Sequence, residues 1–219
     1  MLAKTSAVYT PGPLGYNGRD MLPKLLCLAG AAGLFVQALS GANTLTQKEI
    51  ADGWVLLYDG HSLDGWTKIG NAPWRVAGDG DMLALNGGDD GWIRHDRTFT
   101  NFILKCEFKV PVNSDSGIYL RAGGEDDPAK TGYEVRIHND DPKYSTGSLV
   151  GVAAARPAAP EPDKWHTFEI EAAGDHVVVK LDGQTITDWR GAKTQAGHIG
   201  FRYKKGNKVE FRNIRVKPL

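Results

Sequence analysis

The chain has 219 residues, with 26 basic and 26 acidic side chains, so its formal net charge is zero. A nucleic-acid-binding protein needs a basic surface to displace counterions, and this balance therefore argues against such a partner. The length suits one large β-sandwich or two small domains, and we expect one domain because no central segment resembles a linker.

Residues 1–42 have the pattern of an N-terminal extension followed by a secretory signal peptide. After Met21, the expected natural start, one lysine precedes a short apolar run, and small residues at 40–42 provide a cleavage site. The run is shorter than the roughly 20 residues of a membrane span, and an uncleaved amphiphilic anchor is the alternative. We expect an exported domain, periplasmic or extracellular, over residues 43–219, with no membrane association after cleavage.

Short alternating runs separated by turn residues recur through the rest of the chain, which is typical of an all-β sandwich. Asp182-Gly183 lies between two such runs and predicts a two-residue hairpin. Only residues 46–51 resemble a helix. We expect two antiparallel sheets in a jelly roll, closed by pairing of the first and last runs. The predicted strands are Trp54–Tyr58, Trp74–Val76, Met82–Leu85, Trp92–Arg94, Asn101–Val110, Gly117–Arg121, Tyr133–His138, Trp165–Glu171, His176–Leu181, Gln184–Asp188, His198–Tyr203 and Lys208–Lys217.

Cys106 is the one cysteine that remains after the predicted signal peptide. It falls on the apolar positions of the alternating run from Phe102 to Val110, so its thiol is expected in the core. There we interpret it as a small buried hydrophobe and not as a nucleophile. Since a single cysteine forms no internal disulfide, the stability of the domain must come from its core.

Polar and apolar side chains alternate in the run Tyr133–His138. Its even positions, Glu134, Arg136 and His138, point to the face opposite the core. Residues i and i+2 of a strand lie about 6.6 Å apart, so Glu134 and Arg136 reach one sugar ring. His138 is expected to meet a neighbouring ring or the rim.

Tyr119 and Arg121 alternate on the preceding run, Gly117–Arg121, and are expected to extend the same polar face. A tyrosine ring stacks on the apolar side of a pyranose, and arginine donates forked hydrogen bonds. The alternative is that these charges are ordinary cross-strand pairs that keep an exposed sheet face soluble.

Motifs for cofactors are absent from the sequence. We find no metal-ligand spacing, no nucleophile elbow and no phosphate-binding glycine loop, and therefore expect no cofactor. Acidic residues at 125–127 and 139–141 are of the kind that calcium prefers. We interpret both segments as solvated acidic turns.

Five segments, in this order and spacing, are similar to one known family. They are Gly53–Trp66, Asp115–Arg121, Gly132–Val135, Lys164–Phe168 and Phe211–Ile214. Together they resemble the 3-keto-disaccharide hydrolase domain family, also described as 3-keto-glycoside lyases and hydratases, over about residues 52–219. The resemblance implies a concanavalin-like jelly roll that acts on glycosides already oxidised at C3.

The chemistry that this resemblance implies needs a base and hydrogen-bond donors. A ketone at C3 acidifies the C2 proton, so that a base removes it, the C1 group leaves by elimination, and water then adds. Donors stabilise the enolate oxygen as charge develops. The hypothesis assigns Glu134 or His138 as the base, with Tyr119, Arg121 and Arg136 contacting the saccharide.

The chain departs from the family pattern at several polar positions. Arg136 and His138 replace a usual Gln and Asp, Val150 replaces a Tyr, and Arg202 with the following lysines replaces a frequent Gln and His. A non-catalytic carbohydrate-binding module on the same scaffold is the main alternative to an enzyme. An adhesion or envelope-structural protein is a third interpretation, and the sequence leaves the oligomeric state open.

Overall fold

The computed structural model describes residues 42–85, 87–124, 127–193 and 195–219. The predicted extension and signal peptide, apart from Ala42, lie outside the described residues, so this boundary stays a prediction. In the ranges that the structure describes, no helix has the length and apolar character needed to cross a membrane.

The described part of the chain contains thirteen strands and two short helices. The strands are β1 Val55–Leu56, β2 Trp66–Gly70, β3 Trp74–Val76, β4 Met82–Leu85, β5 Gly91–Phe99, β6 Phe102–Lys109, β7 Ser116–Ala122, β8 Tyr133–Ile137, β9 His166–Ala173, β10 His176–Leu181, β11 Gln184–Arg190, β12 Gly197–Tyr203 and β13 Lys208–Pro218. The helices are α1 Gln47–Ala51 and α2 Pro128–Thr131.

The strands form two antiparallel sheets. The larger has the order β11-β10-β9-β6-β13-β4-β3, with β1 beside β13, and the smaller has the order β2-β5-β12-β7-β8. Their inner faces pack together through aromatic side chains, among them Phe201 of β12 and Phe211 of β13, whose ring centroids are 4.2 Å apart. This architecture confirms the predicted all-β sandwich of two antiparallel sheets.

Two expectations about turns and edges are confirmed. Val55 of β1 pairs with Val216 of β13, so the first and last strands lie side by side. Asp182 and Gly183 join β10 to β11 with φ of 49° and 82°. Positive φ at both residues is the two-residue hairpin turn that matches the twist of the flanking strands.

The alternation in β6 also has the predicted result. Cys106 is 1% exposed in the core, and burial raises the pKa of its thiol well above the usual range. Strand β2, in contrast, was not predicted. Of its five residues only Trp66 is buried, so this edge strand lacks the period-two pattern by which strands are recognised.

Candidate functional site

The outward-pointing side chains of the five-stranded sheet form two rows across β5, β12, β7 and β8, and we call this surface the polar face. The first row contains, in that strand order, Trp92, Arg202, Gly117 and Arg136. The second row contains Arg94, Gly200, Tyr119 and Glu134. Glu134 and Arg136 therefore lie together at one edge, as the alternation predicted.

Two glycines make room for larger side chains at the centre of the polar face. A Cβ atom on Gly117 would lie 2.7 Å from Oε1 of Glu134, and one on Gly200 would lie 2.5 Å from Cε3 of Trp92. Glu134 and Trp92 thus lean across the sheet over the glycines. The Trp92 ring meets Tyr119 edge-on, with centroids 5.4 Å apart, which gives the face an aromatic floor.

Glu134 is a buried carboxylate held between two guanidinium groups. Its side chain is 6% exposed, and its Oε1 lies 3.2 Å from Nη1 of Arg136 and 3.7 Å from Nη1 of Arg202. Burial raises the pKa of Glu134, and the charges of Arg202 and Arg136 offset only part of that effect. The result is a carboxylate that binds a proton more tightly than an exposed one.

Asp115 links the two arginines, although the sequence analysis did not select it as a site residue. Its carboxylate accepts from both terminal nitrogens of Arg202, at 2.5 and 3.3 Å, and lies 3.2 Å from Nη2 of Arg136. Burial alone lowers the pKa of Arg202, but the bond to Asp115 and the charge of Glu134 raise it above its usual value. Asp115 precedes β7, so no alternation indicates its direction; its position in a recognised segment was the available signal.

His138 follows the end of β8 and lies at the rim of the polar face. Its backbone amide donates to Oγ1 of Thr146 at 3.0 Å, which fixes the chain there. The Nδ1 atom is 3.5 Å from Nη2 of Arg136. His138 therefore lies next to Arg136 and further along the chain from Glu134 than Arg136 does, in agreement with the expected rim position.

The expectation that Arg121 reaches the polar face is wrong. Arg121 has a φ of 52° and lies in a bulge, where two residues of β7 stand opposite Ile199 alone. Its 1%-exposed side chain instead donates to the backbone oxygens of Thr100, Gly174 and Lys193, at 2.7, 2.9 and 2.9 Å. Arg121 thus joins loops at the end of the sandwich, and the bulge is what turns it away.

A cluster of carboxylates lies on the other sheet. Oxygens of Asp79, Asp81 and Glu210 fall within 4.8 Å of one another. Burial and the charge of Asp79 raise the pKa of Asp81 to about 6. Glu210 is paired with Lys208 at 2.9 Å and with Lys109 at 3.2 Å, so lysines supply positive charge here. We assign no metal to this cluster.

The acidic turn at 139–141 is organised by its own backbone. Oδ1 of Asp141 accepts from the amides of Lys143 and Tyr144, at 2.8 and 2.9 Å, which is a turn-capping role. Of the other acidic segment, Glu125 and Asp126 lie outside the described residues.

Discrete cavities occur away from the polar face. Three of about 270–300 Å³ lie beside His166, His95 and Trp189, and none of these is lined by Glu134. We therefore locate the candidate site by its charges and its register, and not by cavity volume.

Residues 53–217 match the family described as the 3-keto-alpha-glucoside-1,2-lyase-like domain. The chain belongs to this family. A 3-keto-disaccharide hydrolase from Bacteroides thetaiotaomicron is similar at 24% identity over 233 residues, which cover 77% of this chain and 79% of that protein. The predicted family is thereby confirmed, and with it a carbohydrate-active, hydrolase-like class of domain.

Solved structures share the fold at low sequence identity. A Parabacteroides distasonis protein, provisionally described as a glycosyl hydrolase, superposes with a TM-score of 0.70 at 21% identity, covering 81% of this chain and 99% of that one. A carbohydrate binding module from Bacillus subtilis has a TM-score of 0.55 at 19% identity, covering 69% and 94%. These likenesses concern the fold alone, and they confirm the jelly-roll expectation.

In this member of the 3-keto-alpha-glucoside-1,2-lyase-like family, two of the segments that carry the resemblance contribute to the polar face. The segment Asp115–Arg121 runs into β7, and Gly132–Val135 begins β8. Arg136 and Arg202, two of the positions that depart from the family pattern, come together around Glu134. These two departures therefore meet in one place, beside the buried carboxylate.

Proposed function

We propose that this protein is an exported enzyme that cleaves or hydrates glycosides oxidised at C3, with Glu134 as the base. The observation that carries the proposal is the buried Glu134 carboxylate, whose raised pKa persists between two arginines on an outer sheet face. A base whose pKa lies closer to the working pH removes a carbon-bound proton more effectively than an ordinary carboxylate.

The proposed elimination begins with removal of the C2 proton and ends with loss of the group at C1. Glu134 takes the proton from C2, and the bonding electrons move to the C3 oxygen as an enolate. When the enolate collapses, the C3 carbonyl re-forms, a C1–C2 double bond forms, the C1–O bond breaks, and the departing oxygen takes the proton that Glu134 carries. Hydration is the addition of a water oxygen at C1 with return of a proton to C2.

The neighbouring groups have complementary roles in this proposal. Arg136 and Arg202 donate to the ketone oxygen, where negative charge develops. Tyr119 stands opposite Glu134 on β7 and offers an aromatic surface for the apolar side of the sugar. Glu134 is preferred over His138 as the base because His138 lies at the rim, where its Nδ1 faces Arg136 at 3.5 Å.

The test is release of aglycone from a 3-keto-glucoside. We expect Glu134→Gln to lower turnover by at least about 100-fold, the usual loss when a general base is removed. Glu169→Gln is the matched control, since Glu169 is a strand glutamate on the other sheet, and it should retain wild-type turnover. Wild-type turnover in Glu134→Gln would disprove the assignment. If turnover were lost in His138→Gln and not in Glu134→Gln, His138 would be the base.

The pH profile gives a second test of the same assignment. Glu134 must be ionised to act, and burial raises its pKa above the ordinary value of 4.5. We therefore expect kcat/KM to fall on acidification at a pH above 4.5, along a limb that Glu134→Gln removes from any residual activity. An acid limb at or below the ordinary glutamate value would contradict a buried base.

A non-catalytic carbohydrate-binding function is the second candidate. It is favoured by Asp115, which already pairs with both Arg136 and Arg202. Such pairing holds the guanidinium groups in place and suits recognition as well as catalysis. Binding of a 3-keto-glucoside without release of aglycone would support this candidate, and absence of binding to any sugar would favour an adhesion or structural role.

A further inference from the structure

The hydroxyl group of Tyr119 is a buried donor on the polar face that the protein leaves unpaired. Tyr119 is 6% exposed, and its ring meets Trp92 edge-on. Among residues 42–85, 87–124, 127–193 and 195–219, only burial and charges act on its Oη atom, and no group forms a hydrogen bond with it. Because an unpaired buried hydroxyl costs free energy, this donor indicates a place where a ligand supplies the acceptor.

The other buried tyrosines in the described part of the chain do have acceptors. Tyr58 is 2% exposed, and its hydroxyl donates to the backbone oxygen of Gly80 at 2.9 Å. Tyr203 is 1% exposed, and its hydroxyl donates to the backbone oxygen of Gly87 at 3.1 Å. The fold thus satisfies the hydroxyl of a buried tyrosine where its role is structural, and Tyr119 differs from both.

The register of the sheet places Tyr119 directly beside the candidate base. Tyr119 of β7 stands opposite Glu134 of β8, and the Cβ atoms of such a pair lie about 4.5–5.5 Å apart. The charge of Glu134 acts on the Tyr119 hydroxyl, so the two groups are within electrostatic range. Since C2 and C3 of a sugar are bonded to each other, a substrate whose C2 proton faces Glu134 presents its C3 oxygen to the neighbouring side chain.

The guanidinium groups around Glu134 are already engaged with carboxylates. Nη1 of Arg136 lies 3.2 Å from Glu134, and Nη2 of Arg136 lies 3.2 Å from Asp115. Both terminal nitrogens of Arg202 donate to Asp115. Each of these four nitrogens therefore shares its positive charge with a carboxylate before any substrate binds. The Tyr119 hydroxyl is a donor that is not shared in this way.

Tyr119 stays protonated while Glu134 is ionised. Burial, and after it the negative charge of Glu134, raise the pKa of Tyr119 well above its usual range. The same ionised carboxylate that acts as a base thus keeps its neighbour a neutral hydrogen-bond donor. A donor of this kind stabilises an oxyanion without giving up its proton.

We infer that the Tyr119 hydroxyl is a catalytic group that donates a hydrogen bond to the C3 oxygen and stabilises the enolate. The inference rests on the proposed function and adds a role to the aromatic contact described above. Tyr119 keeps its proton throughout. The hydrogen bond strengthens as negative charge grows on the C3 oxygen, and it weakens when the C3 carbonyl re-forms and the C1–O bond breaks.

The experiment removes the hydroxyl and keeps the ring, in the variant Tyr119→Phe. Two reactions are followed, the release of aglycone from a 3-keto-glucoside and the exchange of the C2 proton in D2O. The exchange is measured by NMR on the 3-keto derivative of 1,5-anhydroglucitol, which carries no leaving group at C1 and can only form the enolate. We expect kcat for release and the rate of exchange to fall together by about tenfold or more, the effect of one lost donor to a developing charge. KM should change by less than about threefold, because the interaction is made mainly in the transition state.

The matched control is Tyr203→Phe, which removes a buried hydroxyl from the core, away from the polar face. Its turnover should stay within about twofold of wild type, while its Tm should fall by about 2–4 °C because the backbone oxygen of Gly87 loses its donor. Tyr119→Phe should show the opposite pattern. Its Tm should equal or exceed that of the wild type, because the hydroxyl that it loses has no partner in the protein.

Three results would overturn the role of Tyr119 and leave the proposed function standing. They are wild-type rates of both reactions in Tyr119→Phe, a raised KM with unchanged kcat, and loss of aglycone release with normal C2 exchange. The last of these would place the hydroxyl at the leaving group instead of the C3 oxygen. A wild type that neither releases aglycone nor exchanges the C2 proton would overturn the proposed function and this inference with it.

Discussion

The outer faces of the two sheets carry the same kinds of residue in different environments. On the eight-stranded sheet, Glu169 of β9 stands directly opposite Lys105 and Lys180, with nitrogen–oxygen distances of 2.8 Å to each, and its side chain is 28% exposed. On the five-stranded sheet, Glu134 is 6% exposed and leans over Gly117. Hydrogen bonds from Lys105 and Lys180 lower the pKa of Glu169, whereas burial raises that of Glu134.

This difference teaches that alternation of charged residues does not by itself mark a site. The cross-strand pairs around Glu169 fit the interpretation that such charges keep a sheet face soluble. The polar face does not fit it, because a pair formed for solubility has no need to be buried. The environment of the carboxylate, and not its place in a strand, separates the two faces.

The largest effect is expected at Arg121, which belongs to neither face. Arg121→Met should lower the free energy of unfolding by about 3 kcal/mol or more, because the carbonyls of Thr100, Gly174 and Lys193 lose their donor. Urea denaturation measures the change, with Arg97→Met as an exposed arginine for comparison. If the Arg121→Met variant were stable but had lost turnover, Arg121 would act at the polar face, and the structural role assigned to it would be wrong.

The next effect concerns activity more than stability. Gly117→Ala places a Cβ atom 2.7 Å from Oε1 of Glu134, so the carboxylate must move. We expect turnover of a 3-keto-glucoside to fall by about tenfold or more, since small displacements of a catalytic group are costly. The control is Gly124→Ala, because no atom lies within 4 Å of the Cβ atom that this substitution adds, and the variant should retain activity. Full activity in Gly117→Ala would mean that the position of Glu134 is not critical.

Stability against pH separates the two glutamates directly. The pKa of Glu134 is higher in the folded state than in the unfolded state. Its favourable contribution to the free energy of unfolding is therefore complete at a pH below the unfolded-state pKa, and it is lost as the pH rises through the folded-state pKa. Glu134→Gln should therefore be as stable as the wild type at neutral pH, or more stable by up to about 1 kcal/mol. Urea titrations at several pH values test this, and a clear loss of stability at neutral pH would contradict it.

The smallest effect, of opposite sign, is expected at Glu169. The pKa of Glu169 is lower in the folded state than in the unfolded state. Its contribution to the free energy of unfolding is therefore present at a pH above the unfolded-state pKa, and it is lost as the pH falls through the folded-state pKa. Glu169→Gln should cost about 0.2–1 kcal/mol at neutral pH, and added salt should reduce that cost because it screens partly exposed pairs. A gain in stability would show that the two outer faces do not differ as described.

Much of the fold could be predicted because local alternation is strong in the core strands. The run around Cys106 and the hairpin at Asp182-Gly183 are confirmed because period-two burial and positive φ leave clear signals in the chain. The edge strand β2 leaves no such signal, because it buries only Trp66. The direction of Glu134 and Arg136 followed from the same alternation.

The sequence by itself determined the family, the two-sheet architecture and the side of β8 on which Glu134 projects, since these depend on order, spacing and period along the chain. Only the tertiary structure decided that Asp115 and Arg202 join Glu134, that Arg121 is turned away by a bulge, and that burial raises the pKa of Glu134. These features arise from strands distant in sequence that meet side by side. Register, bulges and burial depend on how the strands pair and pack, so the sequence of one strand does not reveal them.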